Sequence, residues 1–264
     1  NDSGAKALLT MDRLADVVDD LRGDLAGLAD DGYLLIDADR DGWTSYERYV
    51  ADSEAAPAPF LHLDDDYDFN LIYSSGTTGD PKGIVHTHGI RTAYATGFST
   101  SYRIHPESVI LHSGSLVFNG AFLTLMPWLL QGTTFVLMAS FDAQAVVEAI
   151  ATEGVTHMMV VPSQLIGLMD TPGFDAETCG SLEMVCSVGA PLHLEHKQEF
   201  ARRLPGRFSE LYGLTEGFVT VLDRDDFPHK PGSVGVPPPL YEMRIVDEAG
   251  KELPAGEVGE IIGR

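Results

Sequence analysis

Basic residues are scarce in this chain of 264 residues: 17 Lys and Arg stand against 40 Asp and Glu, a formal net charge of −23. That balance excludes a broad phosphate-binding face of the kind nucleic acids need, so any anion must be held by local contacts. Cysteine is nearly absent. Cys179 and Cys186 lie in and beside an apolar strand-like segment. With no signal sequence ahead of them, they read as buried thiols in a reducing cytoplasm rather than as a disulfide. Long apolar runs are missing as well. The best candidate, 117–139, is broken by Asn119, Pro127, Gln131 and Gly132 into pieces suited to a core helix and a buried strand, so no transmembrane span is expected. There is no internal repeat and no low-complexity tract, and residues 51–59 (ADSEAAPAP) are the only linker-like stretch before residue 73. With 44% hydrophobic residues the chain can bury a substantial core, as one large or two ordinary domains.

The charge is uneven: residues 1–68 hold 18 acids and 5 bases. In this acidic segment Leu14, Val17, Val18 and Leu21 recur at helical spacing, Tyr33 to Asp37 reads as a strand and Thr44 to Ala51 as a short helix. Further along, an apolar strand (Phe69 to Tyr73) leads into a loop and then a helix-like run. Strand 108–112, helix 119–131, strand 133–138, helix 142–153, strand 155–161, a helix after Pro162, strand 182–187, helix 191–203 and strand 207–211 follow. This alternation predicts an α/β fold of parallel sheets flanked by helices, with ligands at the carboxyl ends of the strands. From Asp225 the texture changes to Pro- and Gly-rich turns and then short strands around 243–246 and 258–262. Three regions are therefore expected: 1–101 with the loop, 102–230, and 231–264 as the start of a smaller β-rich unit.

Two features invite a metal. Asp37-Ala-Asp39-Arg-Asp41-Gly42 matches the first half of an EF-hand calcium loop, but position twelve, which should be a bidentate Glu, is Arg48. Thr44 to Glu47 reads instead as a capping box with the aspartates in a solvated turn. His86 and His88 are the closest histidine pair, yet no Cys or Asp cluster accompanies them. Met158 and Met159 sit in an apolar strand and read as core.

The most informative segment is residues 73–88, YSSGTTGDPKGIVHTH. Gly76, Gly79 and Gly83 let the backbone approach oxyanions closely. Ser74, Ser75, Thr77 and Thr78 offer donors, and Lys82 supplies a point charge. The Walker form G-x-x-x-x-G-K-[ST] is not met, because Pro81 precedes the lysine and Gly83 follows it. The segment resembles the signature loop of the adenylate-forming (AMP-binding) enzymes. Tyr212-Gly213-Leu214-Thr215-Glu216 resembles the second nucleotide motif of that superfamily, and Gly189-Ala190-Pro191-Leu192 its adenine-pocket segment, in the same order along the chain.

The resemblance implies ATP, Mg2+ and coenzyme A as cofactors, and Lys82, Thr215 and Glu216 as the catalytic set. The loop Ser74 to Gly79 with Lys82 would hold the β- and γ-phosphates, and Thr215 would bind the α-phosphate. Glu216 would coordinate the magnesium. Tyr212 would pack on the adenine with Gly189, Ala190, Pro191 and Gly213. For the acid, Phe118, Asn119, Val188 and Gly213 are implied. Phe118 stands where the family commonly has a histidine beside the thioester channel, which points to packing or gating rather than proton transfer. Val188 replaces a glycine of many relatives and adds bulk to the acyl pocket. No acid lies in Ser115 to Gly120 to pair with an ammonium, so an α-amino acid is disfavoured.

The style of the surrounding segments is most similar to bacterial fatty-acid and coumarate-type CoA ligases. The implied reaction is ATP-dependent activation of a small carboxylic acid as acyl-adenylate, then transfer to coenzyme A in the cytoplasm. The alternatives are an adenylation domain that loads a carrier protein, and a nucleotide-binding fragment without turnover. The resemblance is compatible with a homodimer. Family members continue past GEVGEIIGR into a ribose-binding aspartate, a hinge and a mobile C-terminal domain with an adenylation lysine. On this resemblance residues 1–264 are expected to be a central fragment of the large N-terminal domain, not competent alone.

Overall fold

A computed structural model describes residues 2–52, 57, 59–74 and 80–263. The chain forms two compact units, Asn1–His62 and Leu63–Arg264.

In the first unit β1 (Leu8–Thr10), β2 (Tyr33–Leu35) and β3 (Thr44–Ser45) form a small parallel sheet in the order β1-β2-β3, with α1 (Ala15–Leu21) and α2 (Tyr46–Ala51) beside it in sequence. The guanidinium of Arg22 lies 3.9 Å from the Tyr33 ring centroid and 4.9 Å from that of Trp43. Asp19 accepts from both Arg22 (2.8 Å) and Trp43 Nε1 (3.0 Å), so one carboxylate ties α1 to the aromatic pair. The aspartates of the calcium-like turn have protein partners: Asp37 Oδ1 accepts from the Asp12 amide at 2.8 Å, and Asp39 pairs with Arg48 at 3.3 Å. The expected capping box at Thr44 to Glu47 does not form. Ser45 is the N-cap of α2 without a side-chain cap bond, and its hydroxyl donates to Glu47 at 3.3 Å instead.

The second unit opens with an antiparallel pair, β4 (Asp68–Ser74) and β5 (Lys82–Thr87). Strand β5 was not expected; it stands between the loop and the expected helix-like run. Within Lys82-Gly-Ile-Val-His-Thr87, burial alternates, Ile84 and His86 turning inward and Val85 outward, which is a strand pattern. The helix begins only at α3 (His88–Tyr102), where the Thr87 hydroxyl accepts from the Ile90 amide at 3.3 Å as N-cap. After β6 (Val109–Ser113) come α4 (Phe122–Gln131), β7 (Thr134–Met138), α5 (Ala143–Glu153), β8 (His157–Val160), α6 (Pro162–Met169), β9 (Met184–Val188), α7 (Leu194–Arg203), β10 (Phe208–Gly213) and β11 (Val219–Leu222). Six strands make the main sheet in the order β11-β10-β9-β8-β6-β7, parallel except for β10 with β11. A hairpin of β12 (Met243–Val246) and β13 (Glu260–Gly263) follows.

Chain punctuation explains the element ends. Gly132 and Gly154 sit at φ +68° and +67° as left-handed caps of α4 and α5, a conformation glycine adopts without a Cβ clash. Strand β7 lies at the sheet edge, and Leu137 is half-exposed there, so the expected buried strand is a half-buried edge. Met158 and Met159 are buried in β8, and both cysteines are buried free thiols. No helix among the described residues is long and apolar enough to cross a membrane.

Candidate active site

A parallel sheet with right-handed crossovers leaves a crevice at the carboxyl ends of its strands. Here the ends of β6 (His112 to Ser115), β8 (Met159 to Val161), β9 (Val188, Gly189) and β10 (Leu211, Gly213) converge on a cavity of about 500 Å³. Tyr94 of α3 and the segment Phe118 to Ala121 also line it. The turn after β10 contributes Leu214 and Thr215. That turn is closed by the Gly217 amide donating to the Leu214 carbonyl and the Leu214 amide to that of Phe218, both at 3.2 Å. Gly189 takes φ +92° where β9 turns out of the sheet. Gly213 needs its missing side chain for another reason: a Cβ there would lie 2.6 Å from Val219 Cγ1, so close pairing with β11 fixes the residue.

The residues implied for acid binding, Phe118, Asn119, Val188 and Gly213, share this cavity with Thr215 and Gly189. Phe118 is 69% exposed at the rim. Tyr212 is half-exposed on β10, its ring 6.3 Å from that of Phe218. Ala190 and Pro191 follow Gly189 on the surface, outside the lining. Ser74 and Lys82 face each other in the β4/β5 register, Lys82 exposed. Ser75, Gly76, Thr77, Thr78 and Gly79 lie outside the described residues. Glu216 is exposed on the β10 turn. No cluster of three or more metal-ligating side chains occurs among the described residues. The donor set still suits magnesium, which takes one or two carboxylates and fills its shell with water and phosphate oxygens.

A polar seam behind the cavity was not anticipated. His86 is buried on β5, and its Nε2 donates to the Thr215 carbonyl at 2.8 Å, tying the hairpin to the β10 turn. Burial and the nearby Arg91 charge hold its pKa below the ordinary value, favouring the neutral Nε2–H ring. Arg91 on α3, 1% exposed, donates Nε to Asn70 at 2.9 Å and Nη1 to Asn119 at 3.0 Å. Asn119 Nδ2 in turn donates to the Tyr94 hydroxyl at 3.1 Å. The histidine pair therefore has no joint role: His86 belongs to this seam, while the His88 ring packs edge-on to Phe69 at 5.1 Å.

The model of the AMP-binding enzyme family matches residues 1–264, and the chain belongs to that family. A feruloyl-CoA synthase from Amycolatopsis is 32% identical over 200 residues, which is 73% of this chain and 40% of that protein. An indoleacetate–CoA ligase from Aromatoleum aromaticum is 30% identical over 240 residues, 90% of this chain and 47% of that one. Among solved structures, the inhibitor-bound N-terminal domain of FACL13 from Mycobacterium tuberculosis superposes with a TM-score of 0.85 at 26% identity, covering all of this chain and 64% of that one. The chain thus spans less than half the length of these two curated relatives.

Proposed function

We propose that the protein activates a small carboxylic acid with ATP, forming an acyl-adenylate and pyrophosphate, and then passes the acyl group to the thiol of coenzyme A with release of AMP. One observation carries this reading: Thr215 of the second nucleotide motif opens into the same largely apolar cavity as Phe118, Asn119 and Val188. A phosphate contact and an acyl pocket that share one space are what joining a carboxylate to an α-phosphate requires. The names of the two relatives, a CoA synthase and a CoA ligase, support the acceptor. Magnesium-bound ATP supplies the electrophilic phosphorus and the pyrophosphate leaving group.

The roles of the protein's own groups follow from charge. A carboxylate approaching a polyphosphate is anion meeting anion, so neutralisation and alignment matter more than a base. Lys82 and the Ser74 to Gly79 loop hold the terminal phosphates, with Thr215 at the α-phosphate. Glu216 holds the magnesium. Tyr212 with Gly189, Ala190 and Pro191 bounds the adenine. Phe118 at the rim is placed to gate the acyl channel without donating a proton. No carboxylate lines the cavity among the described residues, which supports an acid without an α-ammonium group. Buried free thiols suit a reducing cytoplasm. A homodimer belongs to the same reading and is checked by light scattering.

The test is pyrophosphate release by the full-length natural protein across a panel of acids, with and without coenzyme A. Turnover to an acyl-CoA is expected. Lys82→Ala and Glu216→Ala should each weaken magnesium-ATP binding by roughly tenfold or more, because each removes a charge-assisted contact. Calorimetry that returns wild-type affinity for both variants refutes the assignment.

A further inference from the structure

Arg91 is a buried cation without an anionic partner among the described residues. Its guanidinium forms no ion pair among the described residues, Nη2 has no hydrogen-bond partner, and its aromatic neighbours are the Phe122 ring at 4.0 Å, the Tyr94 ring at 4.9 Å and the Phe69 ring at 6.0 Å. Burial pulls its pKa down from the ordinary arginine value. Leaving a charge in that position is expensive unless something is gained by it.

The chemistry of Arg91 dictates what the cavity wall can offer. A guanidinium only donates, so the Asn119 oxygen must face it, and the NH2 end of that amide is left for the cavity side. One of those N–H groups goes to the Tyr94 oxygen, which has therefore accepted and keeps its own proton to give. Tyr94 is fully buried and lines the cavity with Asn119. Gln164, also on the wall, spends its amide oxygen on the Val161 N–H at 3.1 Å, which again leaves an NH2 group. Ser113, 7% exposed on the same lining, has a hydroxyl without a partner. The wall is thus rich in donors, backed by a positive charge and free of carboxylates.

Resting on the ligase reading above, we infer that Tyr94 and Asn119, with Arg91 behind them, form a specificity subsite for an oxygen acceptor that the acid carries in addition to the carboxylate being activated. The ligand class is a carboxylic acid with a second acceptor oxygen, as a hydroxyl, a carbonyl or a second carboxylate. Tyr94 and Asn119 would touch that oxygen. Arg91 is a positioning residue that fixes which end of the amide they present and adds its field. A wholly apolar acid would leave these donors dry and unpaired, which is how a polar pocket rejects a methyl-ended analogue.

The test is calorimetric binding of size-matched acid pairs to the full-length natural protein, with pyrophosphate release measured alongside. Each pair differs only in one terminal group: methyl against hydroxyl, aldehyde or carboxylate, and the three oxygenated arms separate neutral from anionic acceptors. Wild-type affinity should favour at least one oxygenated arm by about 10–100-fold. Tyr94→Phe, which keeps the ring, should cut that preference at least several-fold. The double variant Arg91→Leu/Asn119→Leu removes the cation together with one of its two acceptors and should abolish the preference of oxygenated over methyl-ended acids. A purely structural seam would lower thermal stability in these variants and leave the ranking of acids unchanged. That unchanged ranking, a wild-type preference for methyl-ended acids, or no binding of any acid would each overturn the inference. Absence of pyrophosphate release despite a normal binding preference would instead overturn the ligase reading alone.

Discussion

Lys197 on α7 and Glu210 on β10 form an ion pair with only 9% and 6% of their side chains exposed, Lys197 Nζ donating to Glu210 Oε2. Glu210 stands two residues before Tyr212, so the pair anchors the strand that carries the second nucleotide motif. Taking two charges out of water costs several kcal/mol per ion, which their attraction offsets only while both are present. Lys197→Met leaves a buried carboxylate alone, and Glu210→Leu a buried ammonium. Each should cost about 3–5 kcal/mol, a large part of the 5–15 kcal/mol that usually holds a domain together. The double variant, with two apolar side chains packed face to face, should be no worse than the milder single change. Urea unfolding followed by tryptophan fluorescence in a Trp43→Phe background, where Trp128 alone reports on this unit, reads the difference, with the slope m checked for constancy. Single changes that cost under about 1 kcal/mol and simply add in the double variant would refute the reasoning, since additivity means the two charges do not couple.

The pH dependence should be carried by histidine. His86, His112 and His157 all have folded-state pKa values below the ordinary 6.5, with burial as the first cause. The unfolded chain therefore takes up protons first, and the stability these rings contribute is present above about pH 6.5 and lost as pH falls below it. Melting of wild type against His157→Gln at pH 7.5 and 5.5 should show a smaller acid loss in the variant, and equal losses would contradict it. The cysteine thiols should resist alkylation in the native state at pH 8, because burial pushes Cys179 up to about 11 and Cys186 up to about 12. Fast labelling without denaturant would be incompatible with that burial. Val188→Gly should shift the full-length protein toward bulkier acids by roughly 10–200-fold per methylene-sized step, since Val188 lines the cavity. An unaltered ranking of acids by size would place Val188 outside the pocket.

The alternation of strand and helix after residue 108 was legible because each parallel strand is a short apolar run closed by Gly, Pro or a polar turn, and the two glycine caps fall where the pattern breaks. Strand β5 was not legible. Its six residues follow a glycine-rich loop and run directly into α3, so nothing marks where one period ends and the next begins. The capping box failed for a similar reason, since Thr44 and Ser45 had first to serve as the strand β3 paired with β2. The residues implied for acid binding, Phe118, Asn119, Val188 and Gly213, meet at one cavity although they come from three separate stretches of chain.

The polar seam escaped because its bonds join positions far apart: His86 to Thr215 spans 129 residues, and Arg91 to Asn119 spans 28. A local signal did exist. Arg91, Tyr94, Ala95, Phe98 and Tyr102 are buried at spacings of three and four along α3, so the helix turns one continuous stripe toward the core and begins it with an arginine. A cation on a core-facing stripe must find acceptors or move, and nothing within one helical turn of Arg91 is acidic. Its acceptors therefore had to come from other elements, and the two that arrived, Asn70 and Asn119, are amides rather than carboxylates. Neutral amides satisfy hydrogen bonds but leave the charge uncompensated, so the field of Arg91 extends past Asn119 to the cavity wall. On the inference above, the guanidinium in this stripe sets the polarity of a pocket that Arg91 itself does not line.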